Sequence, residues 1–113
     1  MIPKKIFQTW ENNTPPYKMS QAMESWKQKN PSWEYKLFTA EDRVEFIRKN
    51  FPKEVLEAYH TLIPGAFKAD LWRYCVLFIE GGVYVDADMI CDVPLDDWIT
   101  GDLVVVRDDP MAT

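Results

Sequence analysis

The sequence predicts an α/β protein, a mostly parallel sheet flanked by helices, on three observations. Short β-prone stretches at 4–10, 33–38, 83–85 and 101–107 alternate with helical runs at 17–29, 39–51, 52–60 and 66–80, the order that builds parallel strands through helical crossovers. With 113 residues, 47% of them hydrophobic, 14% aromatic and 27% charged, residues 1–113 are expected to form one domain that buries a core without disulfides or a structural metal. The stretch Gly81-Gly82-Val83-Tyr84-Val85-Asp86-Ala87-Asp88 then puts two carboxylates where a short strand runs out, the end at which parallel sheets take ligands.

Lys4 to Trp10 reads as the first strand, because Ile6 and Phe7 form a β-prone core and Glu11-Asn12-Asn13-Thr14-Pro15-Pro16 breaks it. Tyr17 to Lys29 follows as an amphipathic helix with Met19, Ala22, Met23 and Trp26 at helical spacing, ended by Asn30-Pro31. Trp33 to Phe38 alternates as a second strand, and Thr39 is a helix N-cap with the acid Asp42 three residues on. Val44, Phe46 and Ile47 make that helix amphipathic as far as Phe51-Pro52. Pro52 to His60 is another short helix, and Ile63-Pro64-Gly65 introduces the helix from Ala66 to Glu80. There Leu71, Cys75 and Phe78 recur at steps of four and three residues and are expected on one buried face. Met89 to Leu95 reads as a short strand and a turn, Asp92, Asp96 and Asp97 as solvated loop acids, and Gly101 to Arg107 as the last strand.

A net charge of −5 argues against nonspecific binding to nucleic acid or anionic lipid, which requires clustered Lys and Arg. A phosphate-bearing ligand therefore needs a cation or a local Arg to be held here. Cys75 and Cys91 are too few and too unlike a ligand pattern for a zinc site, and both read as reduced structural residues. The single His60 lies near a loop and forms no recognisable Ser-His-Asp or Cys-His set. No run of about 18 uncharged apolar residues occurs and Lys4-Lys5 has no apolar segment after it, so the expected setting is soluble and cytoplasmic.

In an extended strand Tyr84, Asp86 and Asp88 fall on one face and Val83, Val85 and Ala87 on the other. Two carboxylates sharing a face at a strand end can hold a hard divalent cation while leaving coordination positions for phosphate oxygens and water. An Asp-x-Asp triplet by itself is more often a solvated loop, and its context gives it weight here. On the preceding helix Asp70 is three residues from Arg73 and four from Tyr74, so the three are surface neighbours, for which an ordinary intrahelical ion pair is the simpler reading.

The run from Ala66 to Asp88 resembles the DXD region of sugar-nucleotide glycosyltransferases, the family of yeast Och1-type mannosyltransferases and bacterial capsular polysaccharide transferases, with a more distant likeness to the clostridial glucosylating toxins. It matches the family's A-x-x-A/S-D-x-x-R-Y helix and G-G-x-Y-x-D-x-D strand at Ala66, Ala69, Asp70, Arg73, Tyr74, Gly81, Gly82, Tyr84, Asp86 and Asp88. Ile2-Pro3-Lys4-Lys5-Ile6-Phe7-Gln8-Thr9-Trp10 resembles its I-P-K-x-I-x-Q-x-W opening, and the stretch from Asn30 to Phe38 resembles its second strand.

The resemblance implies a GT-A fold, a Rossmann-like core that is short or truncated here, since such domains usually run well beyond this length. It implies a hexosyltransferase that retains anomeric configuration, uses Mn2+ or Mg2+, and moves sugar from a UDP- or GDP-sugar donor to a glycan or other hydroxyl acceptor. Asp88 is implied as the direct metal ligand, Asp86 as a donor contact that also reaches the metal, and Asp70, Arg73 and Tyr74 as donor-binding residues. Trp10 is implied to stack on the base, although packing over the sheet end accounts for it equally well. The absence of an anchor segment favours a microbial or viral source on this reading, and a sheet edge left by truncation favours a homo-oligomer. The competing expectation is a non-catalytic nucleotide-sugar or metal binding module that needs a partner.

Overall fold

The structure, a computed structural model, describes residues 3–62, 65–97 and 104–106, with the side chains of residues 65, 66 and 104–106 outside the description. Ile63, Pro64 and Trp98 and most of the expected strand at 101–107 lie outside the described residues. The described elements run β1 (Lys5–Thr9), α1 (Tyr17–Lys29), β2 (Glu34–Phe38), α2 (Ala40–Asn50), α3 (Lys53–Thr61), α4 (Gly65–Glu80), β3 (Val83–Val85), a single 3-10 turn at Leu95–Asp97, and β4 (Val104–Val106).

The four strands form one sheet in the order β2-β1-β3-β4, and every pairing is parallel. The α/β class and the parallel sheet thus follow the expectation. The chain passes from β1 to β2 on one side and later returns to place β3 on the other, so the strand order reverses between β1 and β3. Beyond the carboxyl ends of two such strands a crevice opens, because the connections leave them in opposite directions.

Two apolar layers cover the sheet. On one side Phe7, Phe38, Trp72, Val76 and Tyr84 pack with Ile47 and Tyr59 beneath α2, α3 and α4. On the other, Ile6, Val83 and Val85 meet Trp26, Trp33, Cys91 and Leu95. Burial on both faces explains why β3 reads as Val-Tyr-Val with all three residues buried. Helix α1 buries Ala22, Met23 and Trp26 as its spacing predicts. Thr39 and Asp42 form the reciprocal capping box at the start of α2. Cys75 and Cys91 are free and buried, and burial raises the Cys75 thiol pKa.

Two expectations need correction. Phe78 is 81% exposed, and the inner face of α4 is instead Trp72, Cys75, Val76 and Leu77. That helix is apolar nearly all round, so its spacing admits more than one phase, and the Trp72 ring, 4.8 Å from Phe38 and 5.9 Å from Tyr84, selects the one adopted. Met89 to Leu95 is no strand, because its backbone bonds to α1 and to Asn30 just after it instead. The Trp26 indole donates to the Met89 carbonyl at 2.8 Å, Ser25 Oγ accepts from Cys91 N at 2.8 Å and Asn30 Oδ1 from Leu95 N at 2.7 Å. Asp96 is exposed, as expected of a loop acid, and there accepts from the Trp33 indole at 3.3 Å and pairs with Lys4.

The two glycines after α4 are conformationally required. Gly81 and Gly82 have φ of 69° and 91°, and a Cβ on Gly82 would stand 2.6 Å from the Lys5 carbonyl oxygen. This close approach of the turn to β1 lets β3 enter the sheet immediately after the helix.

Candidate functional site

Strand β3 ends at Val85, and the chain turns at once, with Ala87 and Asp88 in the turn and Met89 N donating to the Asp86 carbonyl at 3.2 Å. Strict strand alternation therefore reaches only Asp86, and the turn rather than the pleat brings Asp88 to the same place. Both line a cavity of about 310 Å³ with Trp10, Glu11, Arg43, Tyr84, Ala69 and Met19. This cavity lies beyond the carboxyl ends of β1 and β3, at the reversal of strand order. Helix α4 leads into β3, and Ala69 near its start reaches the same wall.

Side-chain hydrogen bonds tie the two strand ends together. Gln8, fully buried, donates from Nε2 to the Asp86 carbonyl at 3.1 Å and accepts from the Tyr35 hydroxyl at 2.7 Å. Burial, and next the Glu24 charge, push the Tyr35 hydroxyl well above the usual tyrosine range. Tyr84 is likewise pushed well above that range, first by burial and then by the Asp86 carboxylate, to which its hydroxyl is hydrogen-bonded. Tyr84 therefore stays a neutral donor beside that carboxylate at ordinary pH.

Behind Tyr84 lies the helix pair. Arg73 is buried, with Nη1 3.3 Å from Asp70 Oδ1, and its guanidinium lies 5.5 Å from the Tyr84 ring centroid and 5.1 Å from that of Tyr74. Its Nε and the Trp72 indole nitrogen are buried without a hydrogen-bond partner. The structure thus brings Trp10, Asp86 and Asp88 into one cavity wall, and connects Asp70 and Arg73 to Asp86 through Tyr84. Asp70, Arg73 and Tyr74 are outside the residues that line the cavity, and Tyr74 is exposed. His60 and Asp92 are exposed and stand apart from the lining.

Arg43 and Glu11 join the site with no motif pointing to them, and Gln8 joins it from within the opening motif. Arg43 is 2% exposed, and its Nε donates to Tyr59 Oη at 2.9 Å, Nη1 to Thr9 Oγ1 at 2.6 Å and Nη2 to Glu11 Oε1 at 2.9 Å. Burial opposes its charge, but the bonds to Tyr59 and Glu11 outweigh it and raise the pKa. A signal existed: Arg43 stands four residues before Ile47, so helical spacing sets it on the apolar side of α2.

Among the described residues no three His, Cys, Asp or Glu side chains come together as a ready metal site. Asp86 and Asp88 are a two-carboxylate donor set, which suits a hard divalent cation whose remaining positions are filled by phosphate oxygens and water. Among the described residues no helix is long and apolar enough to cross a membrane.

The open parallel sheet gathers Trp10, Arg43 and the three acids Glu11, Asp86 and Asp88 at its switch point, the place where α/β sheets take ligands. The family model of the glycosyltransferase sugar-binding region containing the DXD motif matches residues 4–105, and the chain belongs to that family. It is 32% identical over 115 aligned residues to the initiation-specific alpha-1,6-mannosyltransferase of Candida albicans, covering 94% of this chain and 29% of that protein. It is 39% identical over 95 residues to inositol phosphoceramide mannosyltransferase 3 of Schizosaccharomyces pombe, covering 84% and 26%. An uncharacterized glycosyltransferase of Acanthamoeba polyphaga mimivirus is 40% identical over 72 residues, covering 63% and 26%. The chain spans less than a third of the length of these relatives. No solved structure matches it.

Proposed function

We propose that this chain forms the donor-binding part of a metal-dependent glycosyltransferase that moves a hexose from a nucleotide-diphosphate sugar to a hydroxyl acceptor in glycan synthesis. The observation that carries this reading is the meeting of Trp10, Arg43, Asp86 and Asp88 in one cavity at the strand switch point. In a chain of net charge −5, a diphosphate needs a cation or a local Arg, and in this reading Asp86 and Asp88 hold the cation. When bound, Mn2+ or Mg2+ supplies Lewis-acid stabilisation of the leaving diphosphate.

The residues divide the work by their chemistry. Asp88, exposed at the turn, is the direct metal ligand in this reading. Asp86, restrained by the Tyr84 hydroxyl and by two hydrogen bonds to its carbonyl, reaches both the donor and the cation. The Trp10 ring, at the end of β1, offers a face for the base. Arg73, held by Asp70 at 3.3 Å, has a preset planar fork for sugar or ribose hydroxyls, and Tyr74 packs beside it. Two of the relatives bear names of mannosyltransferases, so mannose is the first sugar to test, as its GDP and UDP conjugates.

A second reading has its own support. Three acids line the described cavity, Glu11, Asp86 and Asp88, but among the described residues no three cluster as a ready metal site, and the chain spans less than a third of its relatives, which suits a nucleotide-sugar binding module that needs a partner. Titration with UDP or GDP, with Mn2+ and then with chelator, tests the binding site common to both. Sugar release or transfer from the nucleotide conjugate separates the enzyme from the module.

A further inference from the structure

Arg43 is the deepest cation described at this end of the sheet, and its donors reach three consecutive residues. Besides Thr9 Oγ1 and Glu11 Oε1, Nη1 stands 3.5 Å from the Trp10 carbonyl oxygen. The anchor behind it is Tyr59 of α3. Backbone bonds hold the same segment from the β2 side, Trp10 N donating to the Phe38 carbonyl at 3.1 Å and Ala40 N to the Glu11 carbonyl at 3.2 Å. Beyond Glu11 the chain is exposed from Asn12 to Thr14.

Stability alone is a poor account of this arrangement. Burying a guanidinium gains little over an apolar side chain of similar size, and its carboxylate partner Glu11 is 68% exposed at the side chain, where an ion pair is weak. What an apolar residue could not supply is direction. The planar fork fixes a hydroxyl, a backbone carbonyl and a carboxylate in one orientation, and all three belong to residues lining the cavity.

We propose that Arg43 is a positioning residue that sets the Trp10 ring and the Glu11 carboxylate against the cavity, so that a nucleotide meets a wall already formed. The proposal rests on the reading of this cavity as the nucleotide site. Its energetic content is preorganisation: a segment ordered before binding need not be ordered by the ligand.

The test uses two variants of the whole chain and two readouts. Arg43→Lys keeps the charge and loses the fork, while Tyr59→Phe removes only the acceptor of Nε and alters no cavity-lining residue. The first readout is the indole N–H resonance of Trp10, assigned by its loss in Trp10→Phe among the five tryptophans of the sequence. The second is the dissociation constant for UDP or GDP in Mn2+. The Trp10 resonance is expected to move or broaden in both variants while those of Trp26, Trp33 and Trp72 stay in place. The dissociation constant is expected to rise about tenfold in Arg43→Lys, the worth of one ordinary hydrogen bond, and less in Tyr59→Phe. If Arg43→Lys fails to fold, Tyr59→Phe decides on the same readouts. A folded variant with lower melting temperature but unmoved Trp10 resonance and nucleotide affinity would make Arg43 an anchor of the fold only. Should the parent protein bind no nucleotide, the proposed function falls and the Trp10 resonance alone decides whether Arg43 sets that residue.

Discussion

The Gln8 side chain donates to the Asp86 carbonyl oxygen at 3.1 Å, joining β1 to the residue that follows β3 across the reversal of strand order. Gln8 has no exposed surface, and its other amide atom accepts from Tyr35, so the backbone position of Asp86 is fixed from a second strand. Replacing Gln8 by Met keeps the volume and removes both bonds. The expected loss of stability is about 1–3 kcal/mol, the cost of leaving buried partners unmet, read from urea unfolding. Affinity for Mn2+ with nucleotide should fall further than in a core variant of equal stability, such as Ile47→Val. Equal losses in the two would reduce Gln8 to a packing residue.

Arg73→Lys should impair use of the nucleotide-sugar donor far more than it impairs folding. An ammonium keeps the charge beside Asp70 but cannot lie flat near the Tyr84 and Tyr74 rings or present a planar fork. Donor affinity and turnover are the measurements, alongside the melting temperature. A simple ion pair between neighbours on a helix would tolerate the exchange, and unchanged donor use would return Asp70 and Arg73 to that role.

Trp10→Ala separates stacking from packing. A base resting on the indole predicts nucleotide binding weaker by about 1–3 kcal/mol, by analogy with aromatic stacking in nucleic-acid binders. A ring that only packs over the sheet end predicts a lower melting temperature with affinity retained.

Alkaline pH should destabilise the protein in a defined window. Burial raises Tyr35, Tyr84 and Cys75 above their ordinary values, so the folded state keeps these protons to a pH at which the unfolded chain has lost them. The unfolded state then binds fewer protons, and stability falls as pH rises past the unfolded values of roughly 8.5 for the thiol and 10 for the phenols. Denaturant midpoints from pH 8 to 11 should decline, and Tyr35→Phe should make the decline shallower. A slope unchanged by that substitution would remove Tyr35 from the account.

How much of this was legible depended on whether a local rule decided each feature. The capping box at Thr39 and Asp42, the buried stripe of α1 and the alternation of strands with helices follow from spacing within one element. The acid pair was legible as a motif, but the turn that carries Asp88 out of the strand pattern depends on bonds from α1 and Asn30 to residues 89–95, which no local pattern encodes. The phase of α4 failed for a related reason, since a helix apolar on most sides takes its orientation from Phe38 and Tyr84 across the sheet. Arg43 broke the apolar stripe of α2 and so was visible as an exception, though its partners at the end of β1 were not.

The central claim, that Asp86 and Asp88 hold a cation through which a nucleotide diphosphate binds, is tested most directly by calorimetric titration of UDP and GDP into the parent protein and into Asp88→Ala. The account predicts binding that requires Mn2+ or Mg2+, disappears with chelator, and stabilises the fold by about 2.7 kcal/mol at one hundred times the dissociation constant. It predicts that Asp88→Ala, altered at an exposed turn position, keeps the parent melting temperature and loses this binding. Metal-dependent binding of equal strength in Asp88→Ala, or binding in the parent that is indifferent to chelator, would contradict it.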